Sequence, residues 1–149
     1  MDADQLRRQL SAIEPNESMY DGISADDVPR LKNLLGDAEP WMASRAVWAL
    51  AHINDVEAAK VLAVAAEDAR PEVRVSVAAS TPRLTPGVAD SLLLRLLDDS
   101  DLGVRKFSLL SASSRNSTQV IERVRRIATS DAEPALRGLA AQQIRSINR

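Results

Sequence analysis

An aspartate followed three residues later by proline recurs along this chain at a nearly constant interval. Four segments align on it, three with the proline: DAEPWMASRAVWAL from Asp37, DARPEVRVSVAAST from Asp68, DSDLGVRKFSLLSA from Asp99 and DAEPALRGLAAQQI from Asp131. Their leading aspartates are 31, 31 and 32 residues apart. Proline stands at the fourth position in three of them (Pro40, Pro71, Pro134), with Leu102 in the third segment. The sixth position is always apolar: Met42, Val73, Val104, Leu136. The seventh is arginine in three (Arg74, Arg105, Arg137) and Ala43 in the first. Such a period restricts the chain to stacked copies of one supersecondary unit, each burying its apolar face against its neighbours.

Each position has a physical role. Proline fits the first helical turn, where its missing N–H is not needed. The aspartate can satisfy free N–H groups at the positive end of a helix. Small residues (Ala46, Ala49, Ala78, Ser108, Ala140) recur on the expected inner face, so helices can approach closely. The arginines recur with the repeat and are placed to bond a turn aspartate of their own or the next copy. A second amphipathic helix precedes each segment, near 26–35, 56–67, 88–97 and 118–129. In VADSLLLRLL, Val88, Leu92, Leu93, Leu96 and Leu97 form one helical stripe. The unit is a helix pair, and a further helix over 2–13 caps the first copy. The fold class expected is all-α, a right-handed superhelical solenoid of about four pairs. It forms one domain over 1–149, with cap and linker at 1–23 and repeats at 24–53, 54–83, 84–115 and 116–149.

Composition agrees. Only five glycines are present, and alanine and leucine dominate. With no cysteine there is neither a disulfide framework nor a thiolate metal site. The N-terminus carries no signal-peptide core and no segment reaches membrane-spanning length, so a cytoplasmic protein is expected. Net charge is −2 but is unevenly spread. Residues 1–99 hold 10 basic and 17 acidic side chains, and residues 100–149 hold 9 and 4.

The acid–x–x–Pro–x–apolar–Arg turns resemble those of the HEAT-repeat family, in particular the short bacterial type also seen in phycobilisome lyases. The resemblance covers about 24–147. It implies second helices that line a concave surface, and a fold that hosts scaffolds, inhibitors and enzymes alike.

Trp41 and Trp48 are two of only four aromatic residues. The sixth, tenth and thirteenth positions (Met42, Ala46, Ala49) face the core, and the tryptophans fall at the fifth and twelfth. Trp41, Arg45, Trp48 and His52, spaced four, three and four, form one stripe off the core face. Phe107 occupies a stripe position in the third copy. Aromatics beside arginine are the composition of an interaction hot spot. The expected partner-binding set is Trp41, Arg45, Trp48, His52, Arg83, Phe107 and Arg115. An alternative is that the linker EPNESMYDGIS covers Trp41 or Trp48 with Met19, Tyr20 or Ile23.

Chemical readings find less support in the sequence. His52 is the only histidine, with no second imidazole or thiolate to join it at a metal. The acid pairs Asp26–Asp27 and Asp98–Asp99 stand at expected helix starts or inter-helix turns, and the hydroxyls of 111–118 lack a histidine to activate them. The expectation is therefore a non-catalytic protein-binding module without cofactor or metal: a scaffold, an adaptor or a toxin-neutralising immunity protein. The alternatives are a nucleic-acid-binding relative of DNA alkylation glycosylases and a bilin lyase-type enzyme. Arg123, Arg125 and Arg126 supply local positive charge but sit on a first helix, away from the expected binding face. Neither nucleic acid nor membrane is the expected partner.

Overall fold

The computed structural model describes residues 1–11 and 16–149. The expected end of the capping helix (Ala12 and Ile13) and the first linker residues (Glu14 and Pro15) lie outside the described residues. All regular elements among the described residues are helical. The chain divides into two compact units, Met1–Val77 and Ala78–Arg149.

The first unit holds α1 (Ala3–Leu10), short 3-10 turns at Glu17–Tyr20 and Ala25–Asp27, α2 (Val28–Leu34), α3 (Pro40–Ile53), α4 (Val56–Ala65) and most of α5 (Pro71–Ser80). A reciprocal capping box starts α1: the Gln5 N–H donates to Asp2 Oδ1 at 2.7 Å, and the Asp2 N–H to Gln5 Oε1 at 2.9 Å. Asn54, in the left-handed region at φ +51°, ends α3, and Asp55 then caps α4 by accepting the Ala58 N–H at 2.7 Å. The core takes Met42, Ala46 and Ala49 from α3, all fully buried, together with Leu6, Leu10, Leu31, Leu50 and Leu62.

The second unit holds the end of α5, a 3-10 turn at Thr81–Arg83, α6 (Pro86–Leu96), α7 (Leu102–Ser111), α8 (Thr118–Ser130) and α9 (Pro134–Ile147). Leu93, Leu97, Leu109, Val120, Val124, Leu136 and Ala140 form its main cluster. The small residues expected on the inner face, Ala46, Ala49, Ala78, Ser108 and Ala140, are all fully buried.

The repeated turns are built more uniformly than the sequence alone shows. In each, the leading aspartate accepts the main-chain N–H two residues on: Asp37 from Glu39, Asp68 from Arg70, Asp99 from Asp101 and Asp131 from Glu133, every one at 2.9 Å. This corrects the expected role. Where proline occupies the first helical position, the residue just before it is the helix cap, so the aspartate folds the turn that leads into the helix.

The seventh-position arginines also share one pattern. Nη1 of Arg74 donates to the Asp68 carbonyl at 2.8 Å, that of Arg105 to Asp99 at 2.9 Å, and that of Arg137 to Asp131 at 2.7 Å. Arg105 reaches the next copy as well, with Nε 3.1 Å from Asp131 Oδ2. The first copy has Ala43 in place of this arginine, and two outside residues serve it. Arg7 of α1 pairs with the Asp37 carboxylate. Arg70 donates to the carbonyls of Asp37 at 2.6 Å and Leu35 at 2.5 Å. The hydrogen bond from Arg7 holds the Asp37 carboxyl below its ordinary pKa, and the hydrogen bond from Arg70 does the same for Asp68.

Candidate functional site

Helix α3 carries four of the seven residues singled out in the sequence. The 3.6-residue period turns Met42, Ala46 and Ala49 inward and leaves Trp41, Arg45, Trp48 and His52 on another side. Trp41 is 46% exposed, Trp48 and Arg45 are half-buried, and His52 is exposed.

Arg45 joins this stripe to the N-terminal cap. Its guanidinium carbon lies 5.6 Å from the centroid of the Trp41 ring, a cation–π arrangement. Its Nη1 donates to the Leu10 carbonyl at the end of α1, at 2.8 Å. At the other end of the stripe, Tyr20 stacks on His52 with ring centroids 4.7 Å apart and planes 18° from parallel.

The segment that brings Tyr20 there is firmly built. Asn16 caps its 3-10 turn by accepting the Ser18 N–H at 2.9 Å. Gln9 Nε2 straps it from α1, donating to the carbonyls of Met19 at 2.6 Å and Asp21 at 2.7 Å. Gly22, at φ +73°, turns the chain so that Ile23 enters the core. Tyr20 thus lies against His52 at the end of the stripe, while Met19 and Ile23 are buried.

The other three residues belong to the second unit. Phe107, on α7, is 36% exposed with the Lys106 ammonium 5.8 Å from its ring centroid. Arg83, at the end of the Thr81–Arg83 turn, is exposed. Arg115 is exposed and borders a shallow cleft with Thr81, Pro82, Pro86 and Asn116. Two further apolar side chains stand out on α7: Leu102 and Leu110, 46% and 48% exposed. Their signal is leucine at α7 positions facing away from Val104, Ser108 and Leu109, which are fully buried.

Among the described residues no group of three His, Cys, Asp or Glu side chains is placed to hold a metal ion, and no helix is long and apolar enough to cross a membrane. On α8, Arg123 pairs with Asp98 and Arg125 with Glu122.

No family model matches the sequence, and no curated protein matches it. Solved structures do. The chain is similar to one in the structure of the complex of CpcE and CpcF of phycocyanin lyase from Nostoc sp. PCC7120, with a TM-score of 0.69 and 20% identity. The match covers 95% of this chain and 99% of that one. It shows the all-α helical-repeat fold expected from the sequence. It also corrects one expectation. A chain without enzymatic role was inferred from the lack of a nucleophile–base pair or ligand cluster, but this fold is found in a lyase complex, so those absences are no ground for setting catalysis aside.

Proposed function

We propose that the chain works by binding a protein partner on the exposed face of α3, as one subunit of an enzyme assembly of the lyase kind. The observation that carries the binding reading is Trp41, half exposed on a helix whose opposite side is fully buried, with Arg45 fixed over its ring by a bond to the cap. A large aromatic held in place at the surface loses little ordering entropy on association, and tryptophan beside arginine is the usual make-up of a binding centre. Trp48 and His52 extend this face. The assembly reading is supported by the fold shared with a chain from a two-protein phycocyanin lyase complex. The short bacterial repeat type is supported by the recurring acid–x–x–Pro–x–apolar–Arg turns.

The test is capture from source-cell lysate with the wild type and the Trp41→Ala/Trp48→Ala double variant, both first shown to fold by circular dichroism. A protein retained by the wild type alone supports the reading and can then be assayed with this chain for lyase activity. Identical captures contradict it, and a capture abolished by nuclease treatment assigns the face to nucleic acid instead.

A further inference from the structure

Helix α7 presents a second surface, which the reading of α3 leaves unused. Leu102, Lys106 and Leu110 are spaced by four residues, and Phe107 and Leu110 by three, so the four side chains share one patch of the helix. All four are exposed, while the core side of α7 is sealed by Val104, Ser108 and Leu109. The one charge among these four side chains is the Lys106 ammonium. Lys106 lies over the edge of the apolar surface, beside Phe107, and makes no ion pair with a described residue. Asp101, which precedes α7, accepts the Val104 N–H at 3.0 Å, and Asp131 is paired with Arg105. On α9, which packs beside α7, the corresponding positions are Pro134, Gly138, Leu139 and Gln142, none of them charged. The unit as a whole holds 11 basic and 7 acidic residues.

We infer that this face of α7 docks an acidic amphipathic segment of a partner protein. Apolar side chains of the segment rest on Phe107, Leu110 and Leu102, and a carboxylate pairs with Lys106. Leucines and a phenylalanine at helical spacing match the i, i+3, i+4 anchors of a helix laid against them. The exposed Lys106 ammonium selects the sign of the partner's charge and speeds encounter. The inference is independent of the Trp41 face, which lies in the other unit.

The test uses the full chain, labelled with nitrogen-15, and two synthetic peptides of equal length with leucine at i, i+3, i+4 and i+7, one carrying glutamate and one lysine at the positions between. The Leu/Glu peptide is expected to shift the amide signals of 102–111 at low ionic strength and the Leu/Lys peptide to leave them in place. Lys106→Glu should weaken the Leu/Glu peptide about fivefold and reverse the preference. Phe107→Ser should abolish the response to the Leu/Glu peptide, with the unchanged amide pattern of α8 and α9 certifying its fold. The inference is overturned if neither peptide shifts α7, if Lys106→Glu leaves the preference as it was, or if α7 responds to phosphatidylglycerol vesicles and not to the peptide.

Discussion

The Arg45 guanidinium reaches the Leu10 carbonyl, 35 residues earlier, while its carbon stays 5.6 Å from the centroid of the Trp41 ring. One side chain thus fixes the end of the cap and one face of the exposed tryptophan together. Arg45→Ala removes both contacts. Its stability cost should be about 1 kcal/mol, from a cation–π contact and a hydrogen bond that water partly replaces. The larger effect should fall on partner binding, because Trp41 loses its restraint. Arg45→Lys keeps the charge but not the planar fork, and should recover little of the binding. Urea unfolding together with partner titration separates the two effects.

Arg70 completes the first turn from the following repeat. It donates to the carbonyls of Asp37 and Leu35 and holds the Asp68 carboxylate with Nε at 3.0 Å. Arg70→Ala leaves two part-buried carbonyls without these donors, a loss of about 1–3 kcal/mol in urea unfolding. Arg70→Lys cannot span the three acceptors and should be nearly as damaging.

Arg105 is the comparable brace of the second unit, tied to its own turn and to Asp131 of the next copy. Its side chain is 17% exposed and that of Asp131 is 9% exposed. Arg105→Ala should cost about 2–3 kcal/mol, since it strands a largely buried carboxylate. Binding at the Trp41 face should be unchanged once folding is corrected for. Lost binding at unchanged stability would contradict the structural assignment of this residue.

Acid should unmask the turn aspartates. The carboxyls of Asp37 and Asp68 are held below their ordinary pKa in the folded chain by hydrogen bonds from Arg7 and Arg70. A group whose pKa is lowered by folding adds stability above its unfolded value, about 3.9 for aspartate, and loses it as pH falls toward the folded value. The urea midpoint should therefore hold steady from neutral pH to about pH 5 and decline below about pH 4. The Asp37→Asn/Asp68→Asn variant should begin less stable and show a shallower acid decline. An unchanged slope would mean that these two acids do not set the acid limb.

The repeat could be read from the sequence because every copy shares one local code. Proline marks where the helix starts in three copies, and the apolar sixth position marks the buried side in all four. Met42, Ala46 and Ala49 follow from that period alone. The part the aspartates play was one step off, because a side-chain oxygen bonding two residues ahead and one capping a helix leave the same residue type in the sequence. The cap contacts were beyond reach for a different reason. The Tyr20–His52 stack and the Arg45–Leu10 bond join residues 32 and 35 positions apart, from a cap that lies outside the repeat. Ala43 marked the first copy as different, but not that Arg7 and Arg70 would serve its turn.

The central claim is that the Trp41 face of α3 meets a protein partner. The most direct test places a photo-crosslinking phenylalanine analogue at position 41 and, as a control, at Val56 on α4, which is 71% exposed. Illumination in source-cell lysate should join one protein to the chain from position 41 and not from position 56. Equal products from both positions, or none from position 41, would contradict the claim.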